Sequence, residues 1–166
     1  WQMTFVSGHP IPSFRISVNL RPSSDSWQFR TKVGCLHGYC DILASFVPDL
    51  NDIVIPRNEW SRFVEYIVNK DVAHASNTGR LFIDCRSSLR NLPLRFHMKY
   101  FNVKNLLWKE MHTLAYTANQ KRLCPTRITT GTHWKFGLPL LTSIESVDLD
   151  GVSGRIHFNL LRSAQQ

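Results

Sequence analysis

Residues 14–20 constrain the fold more than any other stretch of this 166-residue chain. Phe14, Ile16, Val18 and Leu20 alternate with Arg15, Ser17, Asn19 and Arg21. A period of two sends apolar side chains to one face of an extended strand and polar ones to the other. Such a strand is half-buried, with one face toward a core and the other toward solvent. Pro12 before it and Pro22-Ser23-Ser24-Asp25 after it mark its ends.

Elsewhere the periods are mixed. Over residues 31–47, Val33, Leu36, Cys40, Leu43 and Val47 recur at helical spacing. Gly34 and Gly38 oppose a helix there by about 1 kcal/mol each relative to Ala. Residues 47–56 read as a loop between prolines with an apolar tip, Ile53-Val54-Ile55. That tip is either a short core strand or an exposed contact for self-association or a membrane surface. The best helix follows, with Asn58 as its cap and Trp60, Phe63, Val64, Ile67 and Val68 on one face. A turn at Ser76-Asn77-Thr78-Gly79 closes that region, and residues 80–85 form a strand. Over residues 94–101, Leu94, Phe96, Met98 and Tyr100 point one way and Arg95, His97 and Lys99 the other. Residues 103–117 suit a second helix with Leu107, Met111 and Leu114 inward, and 127–130 a short strand. Two strands close the chain, near 141–147 and around Ile156, Phe158 and Leu160, as a hairpin turning at Asp148-Leu149-Asp150-Gly151. The expected fold class is α+β: a single domain over residues 1–166, an antiparallel sheet with two or three helices packed on one side. The start at Trp1 suggests the ordered core of a longer chain.

Charge is distributed unevenly. The chain carries 20 basic and 12 acidic residues, a net +8. Residues 1–79 hold seven of each sign, while residues 80–135 hold eleven basic residues against Asp84 and Glu110. A one-signed field of that kind draws polyanions: RNA, DNA or an acidic lipid leaflet. The candidate polyanion-binding residues are Arg86, Arg90, Arg95, Lys99, Lys104, Lys109, Lys121 and Arg122. Tyr100, Phe101, Trp108 and Tyr116 lie near them in sequence and suit stacking on unpaired bases. Ile53, Val54 and Ile55 are the candidate self-association or membrane loop.

The four cysteines, Cys35, Cys40, Cys85 and Cys124, are sparse for a disulfide scaffold and are expected as small buried thiols in a reducing compartment. Cys35-x-His37-x-x-Cys40 has no matching second pair nearby, so no metal or other cofactor is expected. Phosphate-cradling glycine loops and an H-E-x-x-H pair are missing from the sequence. Gly151-Val152-Ser153-Gly154 only imitates a nucleophile elbow, and a hairpin turn explains it. No carboxylate pair stands out for acid–base work, so neither an enzyme nor a small-molecule substrate is expected.

The strand Phe14-Arg15-Ile16-Ser17-Val18-Asn19-Leu20-Arg21, a short polar turn, and Phe29-Arg30-Thr31 leading into a glycine-containing segment resemble the start of the folded core of rhabdovirus matrix proteins. The resemblance lies mainly within residues 14–47. It implies a non-enzymatic virion protein that self-associates, condenses the viral nucleocapsid and contacts the anionic inner leaflet of the host membrane. The alternative expectation is an RNA-binding module, such as a viral suppressor of RNA silencing.

Overall fold

The computed structural model describes residues 2–6, 14–21, 27–35, 38–67, 72–75, 79–86, 91–96, 99–102, 106–107, 116–118, 121–142, 144 and 146–160. Among these residues the chain forms fourteen strands and one α-helix. In chain order they are β1 (Gln2–Val6), β2 (Phe14–Asn19), β3 (Trp27–Cys35), β4 (Gly38–Phe46), β5 (Ile53–Pro56), α1 (Arg57–Ile67), β6 (Val72–Ala75) and β7 (Arg80–Asp84). Then follow β8 (Asn91–Phe96), β9 (Lys99–Asn102), β10 (Tyr116–Ala118), β11 (Lys121–Gly131), β12 (Trp134–Phe136), β13 (Ser146–Asp150) and β14 (Arg155–Leu160). The expected α+β arrangement with two or three helices is thus corrected to a β-rich fold of two sheets with one helix among the described residues.

The difference starts at residues 31–47, where the helical spacing is a coincidence of two strands. Phe29, Thr31, Val33 and Cys35 are buried on β3, and Ile42, Ala44 and Phe46 on β4, while Arg30, Lys32, Tyr39 and Asp41 are exposed. That is period two, not 3.6. Gly38, at φ 117°, turns one strand into the next, a backbone state that side chains disfavour. The hairpin runs in register from Trp27↔Phe46 to Cys35↔Gly38. Likewise the single strand expected over 94–101 is a hairpin of β8 and β9, with Arg95 opposite Tyr100 and Phe96 opposite Lys99. Most of the expected second helix lies outside the described residues; of its length, Leu106 is buried and Tyr116 belongs to β10. The expected strand at 127–130 is part of the longer β11.

Four antiparallel strands make the smaller sheet, in the order β1-β13-β14-β2. Val147, Leu149, Ile156, Phe158 and Leu160 are buried on one face, with Ile16 and Val18 packed against the core. Arg15, Ser17, Asp148, His157 and Asn159 occupy the other face in matching register. A closing hairpin is present as expected, but its first strand is Ser146–Asp150 rather than 141–147 and its turn falls at residues 151–154 rather than 148–151; β13 pairs with β14 from Ser146↔Asn159 to Asp150↔Arg155. The larger sheet runs β6-β7-β11-β5-β12-β4-β3-β8-β9, with β10 beside β11. It is mixed: β11 is parallel to β5 and β12 to β4.

Aromatic rings join the layers. Phe158 of the smaller sheet lies 5.1 Å from Phe29 and 4.8 Å from Phe96, and Phe96 lies 5.3 Å from Phe136. Phe63 of α1 meets Trp134 edge-on at 4.8 Å, and the Trp134 indole N–H donates to Glu59 at 3.1 Å. Offset and edge-to-face rings contribute about 0.5–1.5 kcal/mol per pair beyond their buried area. The smaller sheet and α1 therefore cover the same side of the larger sheet. On its other side Arg30, Lys32, Asp41 and Lys135 are exposed. The expectation of free thiols is also corrected: Cys35 pairs with Cys40 across the hairpin end, and Cys85 at the end of β7 pairs with Cys124 of β11.

Candidate functional site

Consecutive strands β4 and β5 are not neighbours. β12 lies between them, parallel to β4 and antiparallel to β5. Residues 47–52 must therefore arch over the end of β12, and backbone hydrogen bonds pin them there. The Val47 N–H donates to Phe136 O at 2.9 Å, Gly137 N–H to Asp52 O at 3.1 Å, and Leu138 N–H to Leu50 O at 2.8 Å. A side chain at position 137 would stand 2.7 Å from the Asp52 carbonyl oxygen, so only glycine lets the strand pass beneath the arch.

This arch brings two acids to the sheet's end. Asp52 is held by Arg80, with Nη1 donating to Oδ1 at 2.7 Å and Nη2 to Oδ2 at 3.2 Å. The same Nη1 also donates to Thr126 O at 2.7 Å. Both side chains are mostly buried, so this bidentate pair ties the arch to β7 and β11. Asp49, in contrast, is exposed on the arch.

A second polar constellation lies on the outer face of the smaller sheet. Asp148, 5% exposed, accepts from Arg15 Nη2 at 2.8 Å and from Asn159 Nδ2 at 2.9 Å. Asn159 also donates to Ser146 Oγ at 2.7 Å and accepts from Arg15 Nε at 2.9 Å. Ser17 Oγ and His157 Nδ1 are 2.7 Å apart on the next row. Asp150 accepts the Ser153 hydroxyl at 2.6 Å, which is the main reason its pKa falls below the ordinary 3.8; the Ser153 amide lowers it further, desolvation opposes, and the Val152 amide and the nearby His157 add smaller lowering effects. Each of these carboxylates accepts hydrogen bonds from its own donors. Proton sharing between two carboxylates, by contrast, needs them face to face.

The sequence-chosen residues fare unevenly. Arg86 is exposed just beyond β7, its N–H donating to Asp84 Oδ1 at 2.9 Å. Arg95 is half-buried on β8, its guanidinium 4.8 Å from the centre of the Tyr39 ring. Lys99 is on β9, opposite Phe96 rather than in line with Arg95, because the chain reverses between the two strands. The straight stripe Arg95–His97–Lys99 is therefore corrected. Lys121 and Arg122 open β11, registered against Ala118 and Thr117. Arg90, Lys104, Lys109, His97 and Trp108 lie outside the described residues. Ile53 and Ile55 are fully buried on β5 and Val54 is half-buried between β11 and β12. They belong to an inner strand, so of the two readings of residues 53–55 the short core strand holds and the exposed apolar contact is corrected. Arg30, Lys32 and Tyr39 were not picked out by charge counting; the period-two burial of β3 and β4 is the signal that exposes them. Among the described residues no group of His, Cys, Asp and Glu is arranged to hold a metal ion.

No protein-family model matches this sequence, and neither does any curated protein. Among solved structures, the crystal structure of aspartic proteinase from Irpex lacteus superposes on it with a TM-score of 0.62. The match covers 95% of this chain and 48% of the proteinase, at 11% identity. This chain has the fold of about half an aspartic proteinase. It spans about half the length of that enzyme, and the likeness extends to architecture alone.

Proposed function

We propose that the chain is one lobe of an aspartic-proteinase-like protein in a non-reducing setting, and that it holds polypeptide without cutting it on its own. The observation that carries this reading is the superposition of nearly the whole chain on about half of a proteinase. Aspartic-proteinase chemistry uses two carboxylates that share one proton. Several described carboxylates are engaged one by one: Asp52 with Arg80, Asp148 with Arg15 and Asn159, Asp150 with Ser153, Glu59 with Trp134, and Asp84 with the Arg86 amide. Asp49 is exposed on the arch. On this reading a proton-sharing pair is completed by a second lobe, supplied by another chain or another part of the same protein. The two disulfides favour an oxidising compartment over a virion interior or the host cytoplasm. A matrix-type role loses one of its two motivating features, since Ile53 and Ile55 are core residues.

The test uses the purified chain with an unfolded, fluorescently labelled protein between about pH 3 and pH 7, the range in which carboxylate dyads titrate. The expected result is saturable binding without cleavage. Cleavage that disappears in Asp49→Asn would overturn the non-hydrolytic half of the proposal. Absence of any binding to unfolded polypeptide would overturn the other half.

A further inference from the structure

Gly34 on β3 is directly opposite Tyr39 on β4. A Cβ at position 34 would stand 2.8 Å from Arg95 Nε and 3.0 Å from Arg95 Cβ. The Arg95 side chain thus lies across the bare glycine from the neighbouring β8, and its guanidinium rests against the Tyr39 ring at 4.8 Å. A cation over an aromatic face is held electrostatically, so Arg95 is fixed in this seat.

Arg30 and Lys32 precede Gly34 on β3, and both are exposed. Alternate residues of a strand share a face and are about 6.7 Å apart. Arg95 occupies the place that a side chain at 34 would have taken. Three cations from two strands therefore stand in a row on the outer side of the larger sheet, at near-even steps. Asp41, opposite Lys32, is the only acid that the β3–β4 hairpin presents on this side. Tyr39 at the end of the row is 46% exposed and leaves ring surface open to a ligand.

We propose that Arg30, Lys32 and the Arg95–Tyr39 seat form a binding row for a linear sulfated polysaccharide. Charge complementarity chooses a polyanion, and a straight, evenly spaced row suits an extended one. The two disulfides favour an oxidising setting, where sulfated sugars rather than RNA are the abundant linear polyanions. This site is independent of any peptide-holding role of the lobe.

The experiment titrates the intact disulfide-bonded chain with a size-defined heparin fragment, and separately with single-stranded RNA of equal charge, at several salt concentrations. Binding to the fragment should weaken as salt rises. The double change Arg30→Gln with Lys32→Gln should weaken it by roughly 30-fold, since each cation near an anionic surface contributes close to a factor of five. Arg57→Gln with Arg155→Gln removes the same charge from exposed positions elsewhere and should change binding by less than about threefold. Gly34→Ala removes no charge but unseats Arg95, and should cost a factor of roughly five. Circular dichroism and disulfide mapping confirm that each variant is folded. Equal losses in the two double variants, tighter binding to RNA than to the fragment, or no binding by the parent chain near physiological salt would each overturn the proposal.

Discussion

Phe158→Ala tests whether the two sheets are held together as described. Phe158 is fully buried and is the ring through which the smaller sheet reaches both Phe29 and Phe96 of the larger one. Truncating a buried Phe to Ala costs about 3–5 kcal/mol, combining lost transfer energy with the cavity left behind. Two aromatic contacts, each of about 0.5–1.5 kcal/mol, vanish with it, which puts the expectation in the upper half of that range. Phe158→Leu keeps most of the apolar volume and loses mainly the ring contacts, so about 1–2 kcal/mol is expected. Val152→Ala, at a site 85% exposed in the β13–β14 turn, should stay within about 0.5 kcal/mol of the parent. The assay is equilibrium urea unfolding followed by tryptophan fluorescence, with both disulfides intact. With a slope of about 2 kcal/mol/M, a loss of 4 kcal/mol moves the midpoint down by about 2 M. A Phe158→Ala midpoint within about 0.5 M of the parent would refute packing of the sheets through this ring.

Asp52→Asn should destabilise by about 2–3 kcal/mol, because it leaves the mostly buried Arg80 guanidinium without its counter-charge; an unchanged urea midpoint would show that the arch is held by its backbone bonds alone. Replacing both Cys85 and Cys124 by Ser should cost about 4 kcal/mol and replacing Cys35 and Cys40 only about 2 kcal/mol, since loop entropy grows with the sequence separations of 39 and 5; the reverse order would contradict these pairings. Asp150 has a folded-state pKa below 3.8, so its hydrogen bonds from Ser153 and Val152 contribute above the unfolded pKa and fade as pH falls through the folded one. Ser153→Ala should move that pKa up toward 3.8, read by carboxyl-carbon NMR, and an unmoved titration would refute the assignment.

The strands that were legible in sequence are those with one wet face. β2 and β14 alternate cleanly because Arg15, Ser17, His157 and Asn159 share the polar side of the smaller sheet. α1 was legible for a related reason: Phe63 is buried and Arg62 exposed, one residue apart on an amphipathic surface. β5 was not, since a four-residue inner strand with Ile53 and Ile55 buried and Val54 half-buried has almost no alternation to read. The β3–β4 hairpin was hidden by Gly34 and Gly38, whose missing side chains blank out two positions of the pattern and let a helical spacing show through. The arch over β12 had no local signal at all. It depends on β12 sliding between β4 and β5 from some eighty residues further along the chain, and a pairing of that range leaves no mark in either segment.

Charge counting failed in a more instructive way. It assigned the surface to residues 80–135 because their excess is +9, and gave nothing to residues 1–79 because theirs is zero. Folding undoes both sums. Arg80 of the basic segment is consumed by Asp52, an acid of the neutral one. Glu59, another acid of the neutral segment, accepts a hydrogen bond from Trp134 in the partly buried contact between α1 and β12. What the neutral segment then leaves on the outer side of its hairpin is Arg30 and Lys32 with Asp41 alone beside them, and Arg95 crosses from β8 to join that row only because position 34 has no side chain. A field is made by the cations that remain once burial and pairing have removed the others. On this chain the proposed row of Arg30, Lys32 and the Arg95–Tyr39 seat is one that no window of consecutive residues contains.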